Sequence, residues 1–93
     1  MPRVKVRVPV PLQKLVGDQD AVEAEGASVA EVLADLERRY PGFASHVQDE
    51  QGAVRRYINV FVNDENIRSL ENERTAVKDG DEISLIPAIA GGD

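Results

Sequence analysis

Residues 28–40 carry the one strong amphipathic helix pattern in this chain, and that restricts the fold to arrangements in which a single helix covers a sheet. The Ser28 hydroxyl can accept an early unpaired amide, and Glu31 three residues on can reach back, a capping-box pair. Val29, Val32, Leu33, Leu36 and Tyr40 recur at helical spacing, while Glu31, Asp35, Glu37 and Arg38 take the other side. Arg38 and Arg39 fall in the last turn, where positive charge suits the helix dipole, and Pro41-Gly42 ends the pattern.

Around this helix the chain reads as strand and connector. Val4, Val6, Val8 and Val10 alternate with Arg3, Lys5, Arg7 and Pro9, which predicts a half-buried strand with all four valines inward, ended by Pro9 and Pro11. Leu12 to Asp20 is expected to be a loop with Leu12 and Leu15 packed down. Ala21 to Glu25 predicts a second strand, broken by Gly26 and paired antiparallel with the first. After the helix, Phe43 and Val47 suggest a helical turn, followed by a polar loop through Gly52. Arg56 to Asn63 predicts a strand with Ile58, Val60 and Val62 on one face and Tyr57, Asn59, Phe61 and Asn63 on the other. Asn63 to Asn66 reads as a turn and Ile67 as the start of a short return strand. A connector anchored by Leu70 and Val77 leads to a last strand, Glu82 to Ile86. The order is strand, strand, helix, strand, short strand, strand, an α+β layer arrangement in one domain.

At 93 residues the chain is large enough for one core without covalent staples. It has no cysteine, which excludes disulfides and thiolate metal sites. With a net charge of −6, non-specific attraction to nucleic acid is not expected. Arg38-Arg39 and Arg55-Arg56 are better explained as solvated ends of elements than as a basic patch. No apolar stretch has membrane-spanning length and no signal peptide is apparent, so the expected location is cytoplasmic. His46 stands alone, so no triad or zinc site can be built on it. Asp79, Asp81 and Glu82 are read as turn chemistry rather than a cation site, and no glycine-rich phosphate loop is present.

The last residues carry the chemistry. Asp79-Gly80-Asp81 signals a turn, an apolar run follows, and Pro87 limits continuation of the ladder. Ala88 to Asp93 then contains one large apolar residue, Ile89, and ends Gly91-Gly92-Asp93, which predicts a flexible tail on a domain spanning 1–87.

The run Val62-Asn63-Asp64-Glu65, the turn Lys78-Asp79-Gly80-Asp81-Glu82 and the end Pro87-Ala88-Ile89-Ala90-Gly91-Gly92 resemble the ubiquitin-like sulfur carriers of the MoaD/ThiS family. That family comprises molybdopterin synthase small subunits, thiamine sulfur carriers and cysteine-biosynthesis carriers. The resemblance covers essentially the whole chain and leans to the cysteine branch. It implies a β-grasp fold: a mixed sheet of four to five strands, first and last parallel at its centre, with one main helix across one face. It also implies a protein cosubstrate rather than an enzyme, with no cofactor of its own. A partner of the ubiquitin-activating type, an adenylating and sulfurtransferase enzyme, would use ATP to adenylate the Gly92 carboxylate, which then becomes a thiocarboxylate. A sulfide-using synthase, such as a cysteine synthase, would receive the sulfur.

The residue types suit that chemistry. A carboxylate is a poor acyl acceptor until adenylation installs a leaving group. Without a thiol, the chain can carry sulfur only on its own carbonyl. Ala90, Gly91 and Gly92 are narrow enough to enter a nucleotide-bearing channel. Asp93 departs from the pattern because it locks the Gly92 carboxylate in a peptide bond, so a metallopeptidase cutting between Gly92 and Asp93 is expected. Tyr57 and Phe61, with Ile89, are candidate partner-binding residues. Equally, the two aromatics can stack on neighbouring strands and merely stabilise the sheet. Two other outcomes use the same activated carbonyl: conjugation to protein lysines as a ubiquitin-like modifier, and service as a molybdopterin synthase small subunit. An acyl carrier is rejected, because Ser69 lies in a strand-rich stretch rather than opening a helix.

Overall fold

Alternation in the first strand starts the sheet. In the computed structural model, which describes residues 1–87, β1 (Arg3–Arg7) buries Val4 and Val6 and exposes Arg3, Lys5 and Arg7. Val8 is buried as well. Val10, expected to point inward, does not: it is 77% exposed and opens a short helix, α1 (Val10–Gln13). The expected loop over 12–20 is therefore helical at its start, and a 3-10 turn follows at Lys14–Val16. Pro11 explains this, since its fixed φ is already suited to a first helical turn and its missing amide is not needed there. Leu12 is buried and Leu15 partly so, as expected, and Val16 joins them in the core. β2 (Ala21–Glu25) runs back antiparallel to β1, from Arg3↔Glu25 to Arg7↔Ala21.

Gly26 then joins strand to helix. Its φ is not positive; what requires glycine is close approach. A Cβ there would lie 2.7 Å from the Val32 nitrogen and 2.8 Å from the Glu31 carbonyl carbon. α2 (Val29–Arg39) starts as the capping pattern predicts: Ser28 Oγ accepts from the Glu31 amide at 3.2 Å, and Glu31 Oε1 accepts from the Ala27 amide at 2.9 Å. Val29, Val32, Leu33 and Leu36 are buried and Tyr40 packs against them.

Asp35 departs from the expected polar face: it is buried, at 6% exposure. Its Oδ2 accepts the Glu25 amide at 2.9 Å, on the outer edge of β2, and lies 3.1 Å from Arg39 Nε, while Oδ1 pairs with Arg38. Burial raises the Asp35 carboxyl, but the Glu25 amide and the two arginines outweigh it and hold it below the ordinary carboxylate range. α3 (Phe43–Val47) follows, with Phe43 and Val47 buried as expected. Glu37 accepts the Gly42 and Ala44 amides, both at 2.9 Å, and those two bonds lower its carboxyl.

β3 (Ile58–Val62), β4 (Glu65–Asn66) and β5 (Glu82–Pro87) complete one five-stranded sheet in the order β2-β1-β5-β3-β4. β1 and β5 are parallel neighbours inside it, and the other pairs are antiparallel, as the resemblance implies. The return strand, expected to start at Ile67, lies instead at Glu65–Asn66, within the expected turn. Ile67 begins a 3-10 turn (Ile67–Ser69), because the Asn66 side chain accepts the Arg68 amide at 2.9 Å and caps a helical turn there. Val77 anchors the connector as expected, but Leu70 does not, being 38% exposed; Ile67 and Thr75 are buried in its place.

Candidate functional site

β5 leads the chain toward the diglycine. At its start the acidic turn is committed to backbone amides: Asp79 Oδ1 accepts the Arg3 amide of β1 at 2.9 Å and Asp81 Oδ2 the Lys78 amide at 2.8 Å. Asp81 Oδ1 also accepts from Asn63 Nδ2 at 3.1 Å, and Glu82 lies 3.4 Å from Arg7. Among the described residues no group of three or more His, Cys, Asp or Glu side chains is placed to hold a metal.

Farther along, the register decides what faces outward. Ile83 and Leu85 are buried with Ile58, Val60 and Val62, so Ser84 and Ile86 lie on the opposite face, paired with Phe61 and Asn59. Tyr57 directly precedes Ile58, whose partner is Pro87. Tyr57 is 54% and Ile86 47% exposed; Ile86, opposite Asn59, lies between the levels of Tyr57 and Phe61, and Phe61 is half-buried. Tyr57 lies in a turn just before β3 rather than within the strand predicted for it.

On its other side β5 outruns β1. Lys5 donates to the Asp81 carbonyl at 3.1 Å, and the parallel pairing ends at Arg7↔Ser84. Stepping by two residues, the next donors would be Pro9 and Pro87, neither of which has an amide hydrogen. A groove of about 340 Å³ is left there, lined by Arg7, Val8, Val10, Ser84 and Ile86 among others. Exposed apolar groups from three elements, Tyr57, Ile86 and Val10, thus gather at the end of the sheet where the chain leaves β5. Sequence reading missed Ile86, although the alternation of Glu82, Ser84 and Ile86 against Ile83 and Leu85 marks it. Ile89, Ala90, Gly91, Gly92 and Asp93, and the flexible tail they were expected to form, lie outside the described residues.

Behind Tyr57 is a second group that sequence reading missed. The Arg68 guanidinium donates through Nη1 to Asn59 Oδ1 at 2.6 Å. Through Nη2 it donates to the carbonyls of Ile58 at 3.0 Å and of Arg55 and Arg56 at 3.3 Å each. Of the paired arginines, Arg38 and Arg39 are matched to Asp35, and Arg55 donates to the Ser45 carbonyl at 2.9 and 3.1 Å. His46 is exposed, its ring nitrogen 2.9 Å from the Gly42 carbonyl.

A family model described as the ThiS family matches residues 6–92, from the middle of β1 through Gly92. The chain belongs to the ThiS family. Within it, the sulfur carrier protein CysO of Mycobacterium tuberculosis is 37% identical over 91 residues, spanning 96% of this chain and 98% of that one. The crystal structure of the BexX/CysO complex of Amycolatopsis orientalis contains a chain that is 40% identical, with a TM-score of 0.90 over 96% of this chain and 99% of that one. The small archaeal modifier protein 1 of Methanosarcina acetivorans is 33% identical, with a TM-score of 0.82 over 99% and 98% of the two chains. The five-stranded mixed sheet with its one long helix is the β-grasp, and the protein is a CysO-like sulfur carrier of the ThiS family. As a carrier it is acted upon rather than catalytic, it binds no cofactor, and the ATP of the reaction is used by the partner enzyme. No helix among the described residues is long and apolar enough to cross a membrane.

Proposed function

We propose that this ThiS-family carrier holds sulfur as a thiocarboxylate on Gly92 and delivers it to cysteine synthesis, once Asp93 has been removed. The observation that carries the reading is that the family match runs through Gly92 and stops short of Asp93, in a chain similar to CysO proteins over nearly its whole length. The sequence contains no cysteine, so a persulfide on the carrier itself is not available, and the terminal carbonyl is left as the atom that takes the sulfur. The reaction follows in order. A metallopeptidase frees the Gly92 carboxylate. An adenylating enzyme transfers AMP from ATP to it with loss of pyrophosphate. Sulfide then displaces AMP. On the sulfide-using synthase the thiocarboxylate sulfur bonds to an electrophilic acceptor to give a thioester, and water hydrolyses the acyl bond, which leaves the sulfur on the acceptor and returns the carboxylate.

Docking to the adenylating enzyme uses the face around the end of β5. Tyr57, Phe61 and Ile86 supply the apolar anchors there, Ile89 extends them, and Ala90, Gly91 and Gly92 enter the nucleotide channel. Exposed aromatic and aliphatic groups within a polar surround suit such a contact. The work takes place in the cytoplasm, without nucleic acid or membrane. The likeness to small archaeal modifier protein 1 favours a second reading, attachment of the same activated carbonyl to protein lysines.

Incubating the purified chain with adenylating enzyme, ATP and sulfide, with and without the metallopeptidase, tests the order of events. Sulfur incorporation only where Asp93 has been lost supports the proposal. Incorporation into chains that still carry Asp93 overturns the processing step, and a ladder of lysine conjugates in place of thiocarboxylate favours the modifier.

A further inference from the structure

We propose that Arg68 is a positioning residue for carrier docking: it holds the 55–58 turn so that Tyr57 is presented beside the end of β5. The inference rests on the docking face described above and assigns a role to a side chain outside it.

The argument begins with the turn itself. The carbonyl oxygens of Arg55, Arg56 and Ile58 and the side-chain oxygen of Asn59 all come within 3.3 Å of one guanidinium. Four acceptors converging on one place repel one another unless a cation sits among them, and such a bowl has no reason to persist empty. Arg68 fills it from the 3-10 turn at Ile67–Ser69, a separate segment whose register is set by the Asn66 cap and by buried Ile67. Among the described residues no carboxylate lies within ion-pair distance of Arg68, so its interactions are with this turn and with Asn59. Tyr57 lies between two of the bound carbonyls and is itself half out in solvent, so little packing of its own holds it. Fixing the backbone on both sides of Tyr57 therefore sets the direction in which its side chain leaves the turn, one residue before the Ile58↔Pro87 pair. A lysine cannot substitute, because one ammonium has three donors and no planar fork with which to span four acceptors.

The test measures binding of the full chain to the adenylating enzyme for Arg68→Lys, Arg68→Ala, Tyr57→Ala and the double variant Arg68→Ala/Tyr57→Ala. Each single variant is expected to weaken binding about tenfold, and the double variant no further than the worse single one, because the two residues act through one contact. Arg68→Lys keeps the charge and the aliphatic stem and serves if Arg68→Ala does not fold. Millimolar guanidinium, refilling the bowl, is expected to restore Arg68→Ala and to leave Tyr57→Ala unchanged. Wild-type affinity in both Arg68 variants, or losses that add in the double variant, overturns the positioning role while the docking face stands. Wild-type affinity in Tyr57→Ala removes Tyr57 from the docking face and the inference with it, while Phe61 and Ile86 are tested on their own.

Discussion

Asp35 illustrates how a residue can contradict its own helix pattern and still be explained. On α2 it lies between positions that face solvent, yet it reaches the outer edge of β2 and takes the Glu25 amide that no further strand is there to accept. Arg39 reaches the Glu23 carbonyl at 3.5 Å on the same edge, so side chains of the helix stand in for the missing neighbour. Because the folded carboxyl is depressed below its unfolded value near 3.9, its stabilisation is present above that value and is lost as pH falls through the folded one. Asp35→Asn is expected to cost about 1–2 kcal/mol at neutral pH, at the modest end because both arginines are largely in solvent. The difference should shrink as pH falls through and below the ordinary carboxylate range, as urea unfolding across pH will read. Gly26 makes a simpler case. Gly26→Ala puts a methyl group into the backbone of the first turn of α2 and should cost about 1–3 kcal/mol in the same assay. Neither role is legible along the chain. Asp35 was assigned to solvent because periodicity records which way a side chain starts, not how far it reaches, and Gly26 was read only as a strand breaker.

At the scale of elements, what could be read depended on how local the cause was. Strands β1, β2, β3 and β5 and helix α2 follow from alternation, helical spacing and the Ser28-Glu31 pair, all of which act within a few residues. The misread segments are those where a single residue redirects the backbone. Pro11 turns the expected loop into α1, and the Asn66 cap turns an expected strand into a 3-10 turn. The open face of β3 and β5 shows both situations. Phe61 follows from alternation in β3; Ile86, opposite Asn59 on the same face, is marked only by the weaker alternation of β5, which Pro87 directly after it obscures. Phe61→Ala and Ile86→Ser should each leave the unfolding midpoint close to wild type and weaken binding to the adenylating enzyme about tenfold. Unchanged affinity in both would restrict these side chains to stabilising the sheet. Arg68 was invisible for a different reason: its acceptors are main-chain carbonyls 10 to 13 residues away, which leave no trace in composition or period.

For the whole molecule, periodicity alone did not settle strand order; the placement of β1 and β5 as parallel neighbours was expected from the family resemblance, and the sheet has it. That arrangement carries β5 past the point where its pairing with β1 stops and sets the end of β5, at Pro87, beside the exposed apolar face. The account depends on what then happens at Gly92. Its most direct test is the intact mass of the carrier recovered from cells actively making cysteine. The account predicts a population ending at Gly92 in which one oxygen has been replaced by sulfur. Recovery only of chains that keep Asp93 and carry no sulfur, or of chains joined through Gly92 to lysines of other proteins with no thiocarboxylate present, would contradict it.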